Sequence, residues 1–177
     1  EEHYTRASRG GVGFAKAAGN YAATFYPTKQ ANFKGFQQVI WTDSYEHKYI
    51  EECGTMNIWF RIGDKLITPE LSDTILNGIT RDSIMTLAKS KEMSVEEKKI
   101  PVSDLIEAYN SGELKEVFGT GTAVAVSSIS SITFREDKMI IPFIEDSFAF
   151  KLKQEMQAIQ KGKIKDVYAW TSKISIS

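Results

Sequence analysis

Glu52-Cys53-Gly54-Thr55-Met56-Asn57-Ile58-Trp59-Phe60-Arg61-Ile62-Gly63-Asp64-Lys65-Leu66-Ile67-Thr68 sets two turn signals between short apolar runs. Met56 to Ile62 is apolar and aromatic, as a buried strand requires. Gly63-Asp64 is a turn, and Leu66-Ile67-Thr68 is the returning partner. Upstream, Gln38-Val39-Ile40-Trp41 is strand-like, Thr42 to His47 is a polar turn, and Lys48 to Glu52 is the return strand. Helices flank these hairpins, but strands and helices do not alternate as a clean βαβ series. The pattern therefore predicts an α+β fold rather than a doubly wound sheet.

Working outward, Lys16 to about Phe36 has helical spacing at Ala17, Tyr21, Ala22, Phe25 and Tyr26, with a kink or break expected at Pro27. After Asn77-Gly78 the spacing predicts a helix from about Ile79 to Lys89, with Ile84 and Leu87 facing inward. Met93 to Ile100 alternates as a weak strand, and a short helix opens near Ser103 and ends near Ser111-Gly112. Val117-Phe118 leads into Gly119-Thr120-Gly121-Thr122, and Ala123 to Val126 is expected to pair with Ile129 to Phe134. Phe148 to Gln160 is an amphipathic helix with Phe150, Leu152, Met156 and Ile159 as its apolar positions. The tail, Val167 to Ile176, is strand or coil.

Composition narrows the function classes. The chain has 177 residues, enough for one domain, with 22 basic and 23 acidic residues. That balance gives no electrostatic footprint for nucleic acid or for an anionic membrane surface. Apolar runs such as Met139 to Ile144 are too short to span a bilayer. The single Cys53 excludes an internal disulfide and a cysteine metal site, and no metal is expected. The charged opening, Glu1-Glu2-His3, does not resemble a secretory leader, so a cytoplasmic location is the expectation. A chemistry-bearing stretch begins almost at once, so a preceding segment is expected in the intact protein.

Three elements carry candidate chemistry. Lys16 follows Gly10-Gly11-Val12-Gly13 and precedes Gly19-Asn20-Tyr21, small residues that let a flat ligand approach its amine. Most lysines in such places are merely solvated. Neither a phosphate-loop pattern nor a dinucleotide fingerprint is present. Glu52 precedes a Gly-Thr turn and could project one charge into a pocket. Adjacent strand residues face opposite ways, so one of Glu51 and Glu52 is expected inside and the other wet. Asn77-Gly78-Ile79-Thr80 and Gly119-Thr120-Gly121-Thr122-Ala123 offer backbone N–H groups to an anion, although helix caps and turns are the commoner explanation of each.

Together these elements resemble a known family. Glu52-x-Gly54-x-x-Asn57-Ile58, Leu66-x-Thr68 and Leu76-x-Gly78-Ile79-x-Arg81 resemble the signature of class IV aminotransferases. Gly10-Gly11-Val12-Gly13-x-x-Lys16-x-x-Gly19-Asn20-Tyr21, Gly54-Thr55-Met56-Asn57 and Phe118-Gly119-Thr120-Gly121-Thr122-Ala123 resemble its branched-chain-amino-acid branch, and the likeness runs from about Tyr4 to Trp170.

The resemblance implies a fold-type-IV large domain, a pseudo-barrel of strands with surrounding helices, spanning residues 1–177, of which 1–8 form the start or interdomain linker. It implies pyridoxal 5'-phosphate as cofactor, bound as a Schiff base to Lys16, which also moves the proton at the substrate α-carbon. Tyr21 would meet the cofactor's phenolic oxygen and Glu52 its pyridine nitrogen. The Ile79 and Thr80 amides and the Thr122 hydroxyl would hold the phosphate, with Arg6 assisting. Thr55 and Ala123 amides would take the substrate carboxylate, with Met56 near its side chain.

The implied reaction is amino-group exchange between leucine, isoleucine or valine and 2-oxoglutarate, in a homodimer whose subunits also carry a small N-terminal domain. That domain is missing from this sequence, so impaired activity is expected of this chain alone. The alternatives are a D-amino-acid aminotransferase, an aminodeoxychorismate lyase, or a catalytically silent dimerising module. Departures from the pattern are Trp59 for the preferred Phe or Tyr and Asn77 where many relatives have proline. Val124 and Ser127 stand where some animal members have a cysteine pair, so no thiol switch is expected there.

Overall fold

The computed structural model describes residues 1–172 and 174. In chain order the elements are α1 (Ala18–Phe33), β1 (Ile40–Thr42), β2 (Tyr49–Cys53), β3 (Met56–Ile62), β4 (Lys65–Pro69), α2 (Ile79–Ser90) and β5 (Ser94–Lys98). There follow β6 (Ile100–Pro101), α3 (Val102–Asn110), β7 (Leu114–Gly121), β8 (Ala125–Ser128), β9 (Ser131–Phe134), β10 (Asp137–Ile140) and α4 (Phe148–Gln160). Eight strands form one sheet, β1-β2-β3-β4-β5, with β6 beside β2 and β7 beside β3; β9 and β10 form a separate hairpin. All pairings are antiparallel except β4 with β5, which α2 connects. This is the expected α+β class, with a single strand–helix–strand crossover.

β3 is the hub, with β7 along one edge and β2 then β4 in succession along the other. Its alternation supplies two cores. Ile58 and Phe60 face one, packed with Ile50, Ile67, Val117 and Leu105 of α3. Trp59 faces the other, packed with Leu66, Phe118, Ile84 and Leu87 of α2, and Leu152 and Met156 of α4. Both faces of the sheet are covered, which is why β3 is apolar without interruption from Ile58 to Phe60.

α4 begins on a double device. The Ser147 hydroxyl accepts from the Phe150 N–H at 3.1 Å, and the buried Glu116 carboxylate accepts from the Phe148 and Ala149 N–H groups at 2.9 Å each. Both act where the helix leaves N–H groups unpaired and where its dipole favours negative charge. Ser147→Ala is expected to cost about 1 kcal/mol of stability, read as a lower urea midpoint at constant slope. No shift in midpoint would mean that Glu116 alone suffices.

Several local expectations are corrected. Helix α1 starts at Ala18, so Lys16 lies on a turn ahead of it. The helix passes through Pro27 without breaking. The carbonyl that Pro27 leaves unpaired is that of Ala23, an exposed residue whose oxygen water can serve. β8 and β9 do not pair with each other. Gly121 and Val124 close a turn that folds β8 back on β7, while Arg135, at φ 56°, turns β9 into β10. In α4, Leu152, Met156 and Ile159 face inward as expected, but Phe150 is 41% exposed and Ala149 takes the buried place in the first turn. The tail holds no regular element over its described part; residues 173 and 175–177 lie outside the described residues.

Candidate active site

The site starts at the Gly54-Thr55 turn. Its two residues join β2 to β3, so Cys53 pairs with Met56 and Glu52 with Asn57. Gly54 carries φ +58°, a left-handed conformation that suits glycine. Pairing puts Glu52 and Asn57 on one face, and the Asn57 amide donates to Glu52 Oε1 at 3.2 Å. The same oxygen accepts from the Leu76 N–H at 2.9 Å, and Asn57 also donates to the Leu76 carbonyl at 2.8 Å. Glu52 is thereby fastened to the segment that leads into α2.

That segment ends in an open helix N-terminus. Gly78 is the residue before the first turn of α2, and no side chain caps it. Asn77 is exposed and does not close it. A methyl group on Gly78 would lie 2.3 Å from Asn57 Oδ1, so only glycine lets the turn lie against the Glu52–Asn57 pair. Ile79, 85% exposed, and Thr80 therefore open the helix with N–H groups available to an anion.

The lysine loop is tied to the same segment. Gly13 packs against Thr74 so closely that a Cβ would lie 2.6 Å from its Cα. The Phe14 N–H donates to the Asp73 carbonyl at 3.1 Å, and the Asn20 amide donates to the Val12 and Ala15 carbonyls at 2.8 and 2.9 Å. Lys16 is exposed, between these ties and α1; Tyr21 is half-buried in the first turns of that helix.

β7 brings the last component. Asn57 pairs with Thr120, so the Gly54-Thr55 turn and the Thr122–Val124 turn lie at the same end of the β3–β7 pair. Met56 bridges them: a Cβ on Gly119 would meet its Cε at 2.7 Å, and one on Gly121 its Cγ at 3.6 Å. Thr55, Thr122 and Ala123 are exposed on those turns.

One acidic residue and an arginine depart from expectation. Glu51 and Glu52 are both buried, at 8% and 3% exposure, because both faces of β2 are covered. Glu51 accepts from the Thr74 hydroxyl, and burial raises its pKa. Burial pushes Glu52 up to about 7, against the Arg6 guanidinium and the Leu76 N–H, which pull it down. Arg6 does not lie as a phosphate ligand would. Its Nε stands 2.8 Å from Glu52 Oε2, off the line of a hydrogen bond, and its Nη2 donates to the carbonyls of Gly13 and Thr74. The Cys53 thiol is buried, and burial raises its pKa to about 12, so it is no nucleophile. Among the described residues no His, Cys, Asp and Glu cluster is placed to hold a metal ion, and no helix is long and apolar enough to cross a membrane.

The sequence pattern contains Asn57 without assigning it a role, yet Asn57 joins the acid to the helix start. The two-residue turn could have revealed it, since hairpin counting puts residue 57 opposite 52. Arg6 carries no such signal, because its partners lie far along the chain.

A buried carboxylate, an uncapped helix start and a lysine loop tied to one segment define a class of protein. The model for the amino-transferase class IV family matches residues 14–132, and the chain belongs to that family. The relatives are more particular. The chain is 45% identical over 171 residues to a probable branched-chain-amino-acid aminotransferase of Staphylococcus epidermidis, covering 96% of this chain and 48% of that protein. It resembles the branched-chain amino acid aminotransferase of Escherichia coli with a TM-score of 0.80 and 26% identity, covering 96% of this chain and 54% of that one. The branched-chain aminotransferase of the thermophilic archaeon Thermoproteus uzoniensis, solved with norvaline, matches with a TM-score of 0.72 and 26% identity, over 85% of this chain and 46% of that one. The chain spans about half the length of the relatives it matches.

Proposed function

We propose that this chain is the pyridoxal-phosphate-binding large domain of a branched-chain-amino-acid aminotransferase, which exchanges an amino group between leucine, isoleucine or valine and 2-oxoglutarate. The observation that carries the reading is Glu52: a buried carboxylate fixed by Asn57 and the Leu76 N–H, directly before the uncapped start of α2. One acid for a pyridine nitrogen and one helix terminus for a phosphate suit the two ends of this cofactor. The donor set and the glycine cradle at Gly78 fit the group.

In this reading Glu52 would hold the ring nitrogen, Tyr21 the phenolic oxygen, and the Ile79 and Thr80 N–H groups with the Thr122 hydroxyl the phosphate. When bound, pyridoxal phosphate supplies a carbonyl carbon for the amino group and a ring that accepts the electron pair released at the substrate α-carbon. Lys16 would hold the group through its amine and would move the proton at the substrate α-carbon. The Thr55 and Ala123 amides orient the substrate carboxylate, and Met56 gives an apolar wall suited to side chains with nothing to hydrogen-bond. The small N-terminal domain and a second copy of the protein complete the site. The exposed Phe25, Tyr26 and Phe33 of α1 support burial of that face in the assembly. A cytoplasmic location accompanies the reading.

The test is chemical. The chain is incubated with pyridoxal phosphate, reduced with borohydride and mapped by mass spectrometry. Label at Lys16 supports the assignment; label at another lysine with none at Lys16 refutes it. A rate with L-leucine and 2-oxoglutarate that exceeds the rate with D-alanine, in protein containing this chain, separates the branched-chain reading from a D-amino-acid aminotransferase.

A further inference from the structure

We propose that Arg6 is a positioning residue for the ring-facing acid: its guanidinium holds the Glu52 carboxyl in one orientation and favours its anion, while tying the Lys16 loop to the same point. This deepens the reading above and rests on Glu52 being the acid that meets the cofactor.

The geometry is that of a three-way tie. Arg6 is 6% exposed and Glu52 3%. Nε faces Glu52 Oε2 at 2.8 Å; Nη2 donates to the Gly13 carbonyl at 3.1 Å and to the Thr74 carbonyl. Gly13 belongs to the lysine loop, Thr74 to the segment entering α2, and Glu52 to β2. One planar cation thus sets the spacing of three parts of the site, a task that a lysine ammonium performs less well.

The clamp also acts on charge. The ionisable groups bearing on Glu52 are Arg6, which favours its anion, and Glu51 on the same strand, which opposes it. Glu51 itself feels Asp43 and Asp73. With burial and Glu51 both favouring the protonated acid, Arg6 is the one cation among these groups that favours the anion of Glu52. A protonated Glu52 could not pair with a cationic ring nitrogen. A buried carboxylate deprived of its partner is also costly to fold.

The sign for stability follows from the raised carboxyl. Glu52 is held at about 7 in the folded chain against an ordinary 4.5. Its contribution is therefore full below pH 4.5 and is lost as pH rises through about 7. Removing Arg6 moves the upper end of that window higher.

The experiment follows the Glu52 carboxyl by carbon NMR in the full 177-residue chain without added cofactor, with Glu52→Gln assigning the signal. Arg6→Met is expected to raise the midpoint by more than a pH unit, and Arg6→Lys to recover part of the shift. A midpoint unchanged in Arg6→Met overturns the proposal. Should Arg6→Met fail to fold, the Arg6→Met/Glu52→Gln double variant decides. Restored folding supports the clamp, because the unpaired acid was then the fault. Continued unfolding makes Arg6 a structural tie alone and overturns it. Because no cofactor is present, either result is independent of where borohydride labels the chain.

Discussion

Lys16→Ala is expected to leave the fold intact and to lower transamination in the protein that contains it by a thousandfold or more, about 4 kcal/mol of barrier at 1.36 kcal/mol per tenfold. The two halves of this expectation have separate causes. Lys16 is exposed, on a turn whose shape is set by the Asn20 amide and by the Gly13 contact with Thr74. Truncating an exposed side chain away from such ties changes stability by roughly 0.5 kcal/mol or less. In the proposed function, by contrast, the amine has no substitute as both nucleophile and proton carrier at one carbon. Lys29→Ala on the following helix serves as the control and should keep full rate. The assay is steady-state turnover, with thermal unfolding run beside it. A Lys16→Ala variant within tenfold of the parent rate would remove Lys16 from the chemistry.

What the sequence made legible, and what it did not, divides along the range of the interactions. The hairpins around Glu52 are local: turn residues and apolar alternation specify them, and β3 and β4 fall within a residue or two of expectation. The same holds for α2 and α4, whose periodicity places Ile84, Leu87, Leu152 and Met156 inward. Strand partnership is not local. Nothing within 123–134 announces that β8 folds back on β7 while β9 leaves for β10; a positive φ at Arg135 does that. Glu51 illustrates the same limit. Alternation assigns it the opposite face from Glu52 correctly, but whether that face is wet depends on the remote Thr74 segment.

The site divides likewise. Motif likeness supplied Lys16, Glu52 and the Gly78 turn as separate pieces. The structure adds the connections: Asn57 between acid and helix, and Arg6 between acid and lysine loop. The resemblance assigned Arg6 to the phosphate, since its partners are not legible in the sequence. Burial explains why it is otherwise here. A carboxylate as buried as Glu52 needs a compensating cation, and Arg6 is the one the fold delivers to it.

Trp59→Ala is expected to be the most destabilising single change in the sheet, at about 3–5 kcal/mol. Against a typical domain stability of roughly 5–15 kcal/mol, that removes about a fifth or more. Trp59 is wholly buried, stacked on Phe118 with ring centroids 6.1 Å apart and planes 9° apart. The Arg81 guanidinium lies 5.9 Å from its ring, and its indole N–H donates to the Thr120 hydroxyl at 3.1 Å. Alanine opens a cavity between α2, α4 and the sheet, and it leaves the buried Thr120 without its donor. Trp59→Phe separates the two losses. It keeps an aromatic face for Phe118 and gives up the hydrogen bond, at about 1–2 kcal/mol. Urea unfolding at constant slope measures both. The site should register the change as well, because Thr120 precedes the Gly121-Thr122 turn proposed to hold the phosphate. Pyridoxal phosphate affinity should therefore fall more in Trp59→Ala than in Trp59→Phe. A Trp59→Ala variant within about 1 kcal/mol of the parent would mean that the helices collapse into the vacated space, and that the β3–β7 pair does not depend on this ring.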